Sequence, residues 1–288
     1  MSATSFSFEP LFLVLAVVAR ALYYGAERHE RPSPLRAASF AAGLLLIAAA
    51  LNSPLETIAA HRLLLAHLLQ NGLIADIAPL LLLLGLTPTM RQALARRGGR
   101  VFATLTRARV ALPVWVAVWY GTHLAGFYDW ALDTGWGLNI EHGLLILAGL
   151  LFWWPLVTGR LSVAPALGYL GAAFVASSFL GLAFIFSSRP FYSFYERAPR
   201  LWGLSPVRDQ NLGGILMNAE QTVVFLLAIG WFVWRLLEEE HAAGSGADGS
   251  GTDGNGNRER RECVGQVSAV VDRMDLRIDP HGGDQAEG

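Results

Sequence analysis

The chain contains no lysine, a single cysteine, and charged residues at only 16% of its 288 positions. Soluble domains carry about 25%, so the shortage of charge argues against a water-soluble fold. The lone cysteine, Cys263, excludes an intramolecular disulfide and any Cys-x-x-Cys metal or redox motif. With lysine absent, arginine supplies all the fixed positive charge. It does not cluster as a nucleic-acid binder would require. Residues 1–240 carry 17 Arg against 14 acidic residues, and residues 241–288 carry 5 Arg against 9. Nothing in this pattern offers a nucleic acid a surface.

What the chain has in excess is long apolar runs, with 53% of residues in the hydrophobic class. Seven runs, at residues 8–24, 35–51, 63–86, 110–127, 138–157, 165–188 and 212–237, each approach the roughly 17–25 residues a helix needs to cross the hydrocarbon layer. They predict an all-α membrane protein. A bundle of seven transmembrane helices occupies residues 1–240, and a polar, disordered tail follows at 241–288. The Gly-, Asp-, Asn- and Ser-rich stretch 244–257 is too polar to order by itself. The first run reads as a retained span, because its N-terminal flank holds Glu9 and no basic residue and no small-residue cleavage motif follows at Tyr23–Tyr24.

Arginine distribution orients the bundle. With the N-terminus outside and the tail in the cytoplasm, 12 arginines flank the inner side and 5 the outer. A basic inner loop carries Arg91, Arg96, Arg97, Arg100, Arg107 and Arg109. Pro54 and Pro88 should end the second and third spans, since proline has no donor for the helical ladder. Gly43, Gly72, Gly149, Gly171, Gly181 and Gly230 are expected to allow close helix contact. The tryptophans, among them Trp115, Trp119, Trp153 and Trp154, are expected in an interfacial belt.

Ionisable groups at membrane depth are costly and mark function. His67 and His142 each lie four residues after the start of a span and His123 four residues before the end of one. All three therefore sit roughly 6 Å below the outer boundary, in one layer. Imidazoles converging from three helices suit copper or zinc and also ligate haem iron. Asn71, Asp129, Glu141, Asp209 and Glu220 are the candidates to orient those rings by accepting or relaying a ring N–H. Asp76 falls about 180° around an ideal helix from His67 and is assigned to packing or proton traffic. His61 reads as interfacial, while His29, His241 and His281 lie on the inner side or in the tail. No nucleophile–base–orienter set is visible, and no enzymatic turnover is expected.

Several motifs occur in a recognisable order. They are Asn52-Ser53-Pro54-Leu55, His67-Leu68-Leu69-Gln70-Asn71, Ala78-Pro79 with its leucine run, and His123-Leu124-Ala125-Gly126-Phe127-Tyr128-Asp129. Glu141-His142-Gly143, Phe152-Trp153-Trp154-Pro155 and Asp209-Gln210-Asn211-Leu212-Gly213-Gly214 complete the set. In this order the chain resembles the CtaG family of membrane proteins, linked to assembly of caa3-type cytochrome c oxidase. Members commonly read His-Met-x-x-His in the third span; here Leu68 and Asn71 replace the Met and the second His. The resemblance implies a bacterial plasma-membrane accessory factor that helps a haem–copper oxidase of the respiratory chain mature. Its role would be to bind or deliver copper at the outer face, through His67, His123 and His142. Its partners would be oxidase subunits or another assembly factor, within the lipid bilayer. Two alternatives stand beside it: a copper transporter or channel resembling CopD-type proteins, and a haem-binding membrane electron carrier.

Overall fold

The computed structural model describes residues 5–247, with side chains described through residue 238. The remaining tail, Cys263 included, lies outside the described residues. Each apolar run of the sequence is built mainly of helix. α1 (Pro10–Ala26) and α2 (Pro34–Leu51) form the first pair, and a short α3 (Pro54–His61) follows. The third run is one rod built from α4 (Leu64–Gly72), a π-helical turn (Leu73–Ile77) and α5 (Ala78–Gly85). Then come α6 (Pro88–Leu105), α7 (Ala108–Thr122), α8 (Ala125–Asp133), α9 (Gly137–Val157), α10 (Val163–Phe186), α11 (Ser193–Arg197) and α12 (Pro206–Ala247). By length and composition, α2, the Leu64–Gly85 rod, α9, α10 and α12 can each cross a bilayer. α1 and α7 are shorter, at 17 and 15 residues. The chain is therefore an all-helical, multi-pass membrane protein.

Prolines end spans as expected, and each also opens the helix after it. α2 stops at Leu51, and Ser53 then accepts from Leu55 N with Pro54 in the first turn. Thr87 does the same for α6, accepting from Met90 N ahead of Pro88. Proline suits a first turn because the missing N–H would have had no partner there. The basic stretch between the third and fourth runs is not a loop but α6, broken at Gly99 (φ 57°) and bent by 73° from α7.

Pro79 explains the π turn. Its missing N–H leaves the Ala75 carbonyl without the usual i→i+4 partner, while Ala78 N reaches back five residues to Leu73 O. The freed Ala75 oxygen lies where a Cβ on Gly149 of α9 would stand. The rod and α9 thus touch backbone to backbone, which only glycine permits. Gly43, Gly72 and Gly181 also face close neighbours, whereas Gly171 and Gly230 face open space and serve no such contact.

Two further expectations are corrected. The fourth run does not continue to Phe127. α7 ends at Thr122, with His123 as its cap and Leu124 extended before α8 begins. Trp115, Trp119, Trp153 and Trp154 do not form a belt but are 1–2% exposed in the core, Trp115, Trp153 and Trp154 packed with Phe152 and Phe225 and Trp119 in the cluster around Tyr128. Trp136 and Trp202, at 58% and 70% exposed, do lie at the surface. Periodicity alone does not separate a lipid-facing tryptophan from a core one when the whole helix is apolar.

Candidate functional site

One end of the bundle collects arginine and the other histidine. At the arginine end, Arg36 Nη1 donates to Leu86 O (2.5 Å), and Arg91 donates to Val157 O and Leu83 O (3.1 and 3.2 Å). These guanidiniums satisfy carbonyls left over where helices finish. Tyr23 near the end of α1 donates to Gly85 O there. Phe12, near the start of α1, instead lies 6.1 Å from the His142 ring, so the histidines occupy the opposite end.

All three histidines are buried, at 1%, 6% and 1% exposure for His67, His123 and His142. None faces lipid. The His67 and His142 rings come within 6.0 Å, centroid to centroid, from α4 and α9. His123 stands on the other side of Tyr128, whose ring is 4.8 Å from His67 and 5.8 Å from His123. The His67 and His123 centroids are therefore no further apart than the sum of those two distances.

The hydrogen bonds define which nitrogen each ring presents. Tyr195 Oη donates to Ala59 O (2.5 Å), so its lone pair accepts from His67 Nδ1–H at 3.0 Å. Burial holds the Tyr195 phenol well above its ordinary range, so it keeps the proton this arrangement needs. His123 Nδ1 donates to Trp119 O (2.7 Å), a carbonyl freed by the end of α7. Both rings are thereby fixed as Nδ1–H tautomers with Nε2 carrying the lone pair. The Nε2 atoms of His67, His123 and His142 are all buried without a hydrogen-bond partner.

Glu141 completes the cluster. Its Oε1 lies 3.5 Å from His67 Nε2 and accepts from Asn71 Nδ2 at 3.0 Å, while its Oε2 has no partner. Asn71 reaches Glu141, not a ring, and Glu141 stands beside the His67 Nε2. Asp209 acts one step removed: it accepts from Leu64 N and Leu65 N, both at 2.9 Å, capping the helix that carries His67. Asp129 likewise caps α11, accepting from Ser193 N, Ser193 Oγ and Phe194 N. That cap holds Tyr192 and Tyr195 over the site, where Tyr192 Oη donates to His123 O (2.9 Å). Glu220 lies deeper, against Gly72. His61 is exposed, as is His29 at the arginine end.

Tyr128, Tyr192, Tyr195 and Gln70 are site residues that sequence reasoning missed. Gln70 Nε2 donates to Ala50 O (2.8 Å) and to Glu56, a buried carboxyl of α3. Only Gln70 carried a signal, one turn after His67. The tyrosines arrive from loops and short helices with no periodicity to place them.

The donor set is chemically suited to a cation: three buried imidazole Nε2 atoms without a hydrogen bond and the Glu141 Oε2. Among the described residues, however, no group of three or more His, Cys, Asp or Glu side chains is spaced to hold a metal ion as the side chains stand.

A family model described as cytochrome c oxidase caa3 assembly factor matches residues 11–239. The chain belongs to this family. No curated protein and no solved structure matches it. The match to the caa3 assembly factors spans every helix that builds the histidine cluster, and it reaches as far as α12.

Proposed function

We propose that this caa3 assembly factor binds copper at the histidine end of the bundle and passes it to the oxidase as cargo, without catalysing a reaction of its own. The supporting observation is the set of partnerless Nε2 atoms of His67, His123 and His142 beside the half-satisfied Glu141 carboxylate. A buried polar atom without a partner costs about 1–3 kcal/mol, and one shared cation would satisfy three of them together. Imidazole is a ligand for copper, and Glu141 would offset the cation's charge.

Spacing supports transfer over storage. His67 and His142 lie close, and His123 is held off by Tyr128, so capture requires the rings to draw together. Such a site releases its ion more readily than a closed four-ligand one. The histidine end faces outside and the arginine end the cytoplasm, by the excess of arginine on that side. Oxidase subunits or another assembly factor would receive the ion.

The test is copper titration of purified protein against a competing chelator, for the wild type and for His67→Ala with His142→Ala, alongside oxidase activity in cells. The double variant should bind at least about tenfold more weakly and leave the oxidase under-assembled. Equal copper affinity in the two proteins would refute the copper reading while leaving family membership intact.

A further inference from the structure

Deeper in the bundle are two carboxyls that the copper reading does not use. Asp76, 0% exposed, sits in the π turn near the middle of the Leu64–Gly85 rod. Glu220 comes from α12, and its Oε2 lies 2.8 Å from where a Cβ on Gly72 would stand. The next residue, Gln221, is 1% exposed and donates Nε2 to Asp76 Oδ2 at 3.4 Å. On an ideal helix Asp76 would face away from His67. The wider π turn advances less per residue, so Asp76 is rotated back to meet α12. π turns recur at functional sites for this kind of re-aiming.

The donor–acceptor inventory of this cluster does not balance. Asp76 Oδ1, Glu220 Oε1 and Oε2, and Gln221 Oε1 are all buried without a partner. Among the described residues, the Gln221 amide is the one donor to any of the three side chains. No cation among the described residues faces them from the packed helices. α4 and α9 bring His67, Glu141 and His142, which belong to the cluster near the histidine end. α2 brings Arg36, engaged with Leu86 O at the arginine end. α5 and α10 contain no charged residue. Two ionised carboxylates in such a setting would be poorly solvated, with the charge on Asp76 acting against that on Glu220. Gln221 Oε1 also calls for a donor that neither carboxylate can supply when ionised.

We propose that Asp76, Glu220 and Gln221 form a proton-binding site inside the bundle, in which the two carboxyls share one proton. The proton comes from water and forms an O–H bond on one carboxyl. That leaves a single negative charge on the pair and provides the donor the site lacks. The site is independent of copper and lies on the rod that carries His67, with Asn71 and Gly72 between them in sequence.

Infrared spectroscopy on the purified, metal-free full chain tests it. A protonated carboxylic acid has a C=O stretch well above the amide band, shifted by exchange into heavy water. At neutral pH the wild type should show more intensity in this region than Asp76→Asn/Glu220→Gln, whose remaining band comes from other carboxyls such as Glu56, and each single variant should shift the extra band. Asn and Gln mimic the neutral acids, so the thermal midpoint of the double variant should match or exceed the wild type's. Equal band intensity in wild type and double variant would overturn the proposal. So would a wild-type band that disappears when sodium is added, since a metal cation would then be the natural occupant. Should the double variant not fold, the wild-type spectrum decides: loss of protonated-carboxyl intensity at the frequency altered by either single variant is required as pH rises.

Discussion

Replacing Tyr195 by Phe removes one oxygen and leaves the ring. In the wild type that oxygen links His67 Nδ1 (3.0 Å) to Ala59 O (2.5 Å) at a position 2% exposed. Without it, a buried N–H and a buried carbonyl lose their partner, and each such loss costs about 1–3 kcal/mol. With partial relaxation, the expected destabilisation is about 2 kcal/mol. For a chain of this size that lowers the thermal midpoint by about 4–8 °C. The second consequence is specific to the site. His67 loses the acceptor that holds its proton on Nδ1, so its Nε2 lone pair is no longer pre-oriented, and losing such an orienting partner costs about 10–100-fold in metal affinity. Thermal unfolding in detergent and copper competition, run on the same preparation, read the two effects separately. A lowered midpoint with unchanged copper affinity would refute the orienting role and leave Tyr195 a packing residue. No change in either would mean that the Tyr195 bridge is not formed.

Three further outcomes are expected. Burial pushes the Glu56 carboxyl up from 4.5 to about 7, opposed by the Gln70 amide. The folded chain therefore holds that proton more tightly than the unfolded chain, and the resulting stability is full below pH 4.5 and lost as pH rises through about 7. Glu56→Gln should flatten the decline of thermal midpoint across that window, by up to about 3 kcal/mol, and an unchanged pH profile would count against it. Asn71→His adds an imidazole beside Glu141 and should tighten copper binding, with unchanged affinity as the contrary result. Reporter fusions after Gly98 and after Glu239 should read cytoplasmic and one at Gly203 external; an external reading at Gly98 would invert the bundle and its site.

The positions of the apolar runs and the proline-marked ends at Leu51 and Gly85 were legible in the sequence. Each depends on local chemistry: bilayer thickness sets run length, and proline interrupts a ladder wherever it occurs. The order of motifs pointed to the family, and the depth of the histidines pointed to a layer of His67, His123 and His142 with Asn71 and Glu141 as supporting groups. What only the tertiary structure decided were long-range matters. Tyr195 reaches His67 across 128 positions because Asp129 caps α11 and holds that short helix over the site. The helix break at His123 has no proline or glycine at the break itself to announce it. The π turn that brings Asp76 to α12 was hidden because its cause, the single missing N–H of Pro79, allows several local responses. The tryptophans went to the core because a helix that is apolar all round does not reveal which face meets lipid. In a membrane protein hydropathy locates the helices, but their rotation is set by the close contacts and buried polar partners that other segments supply.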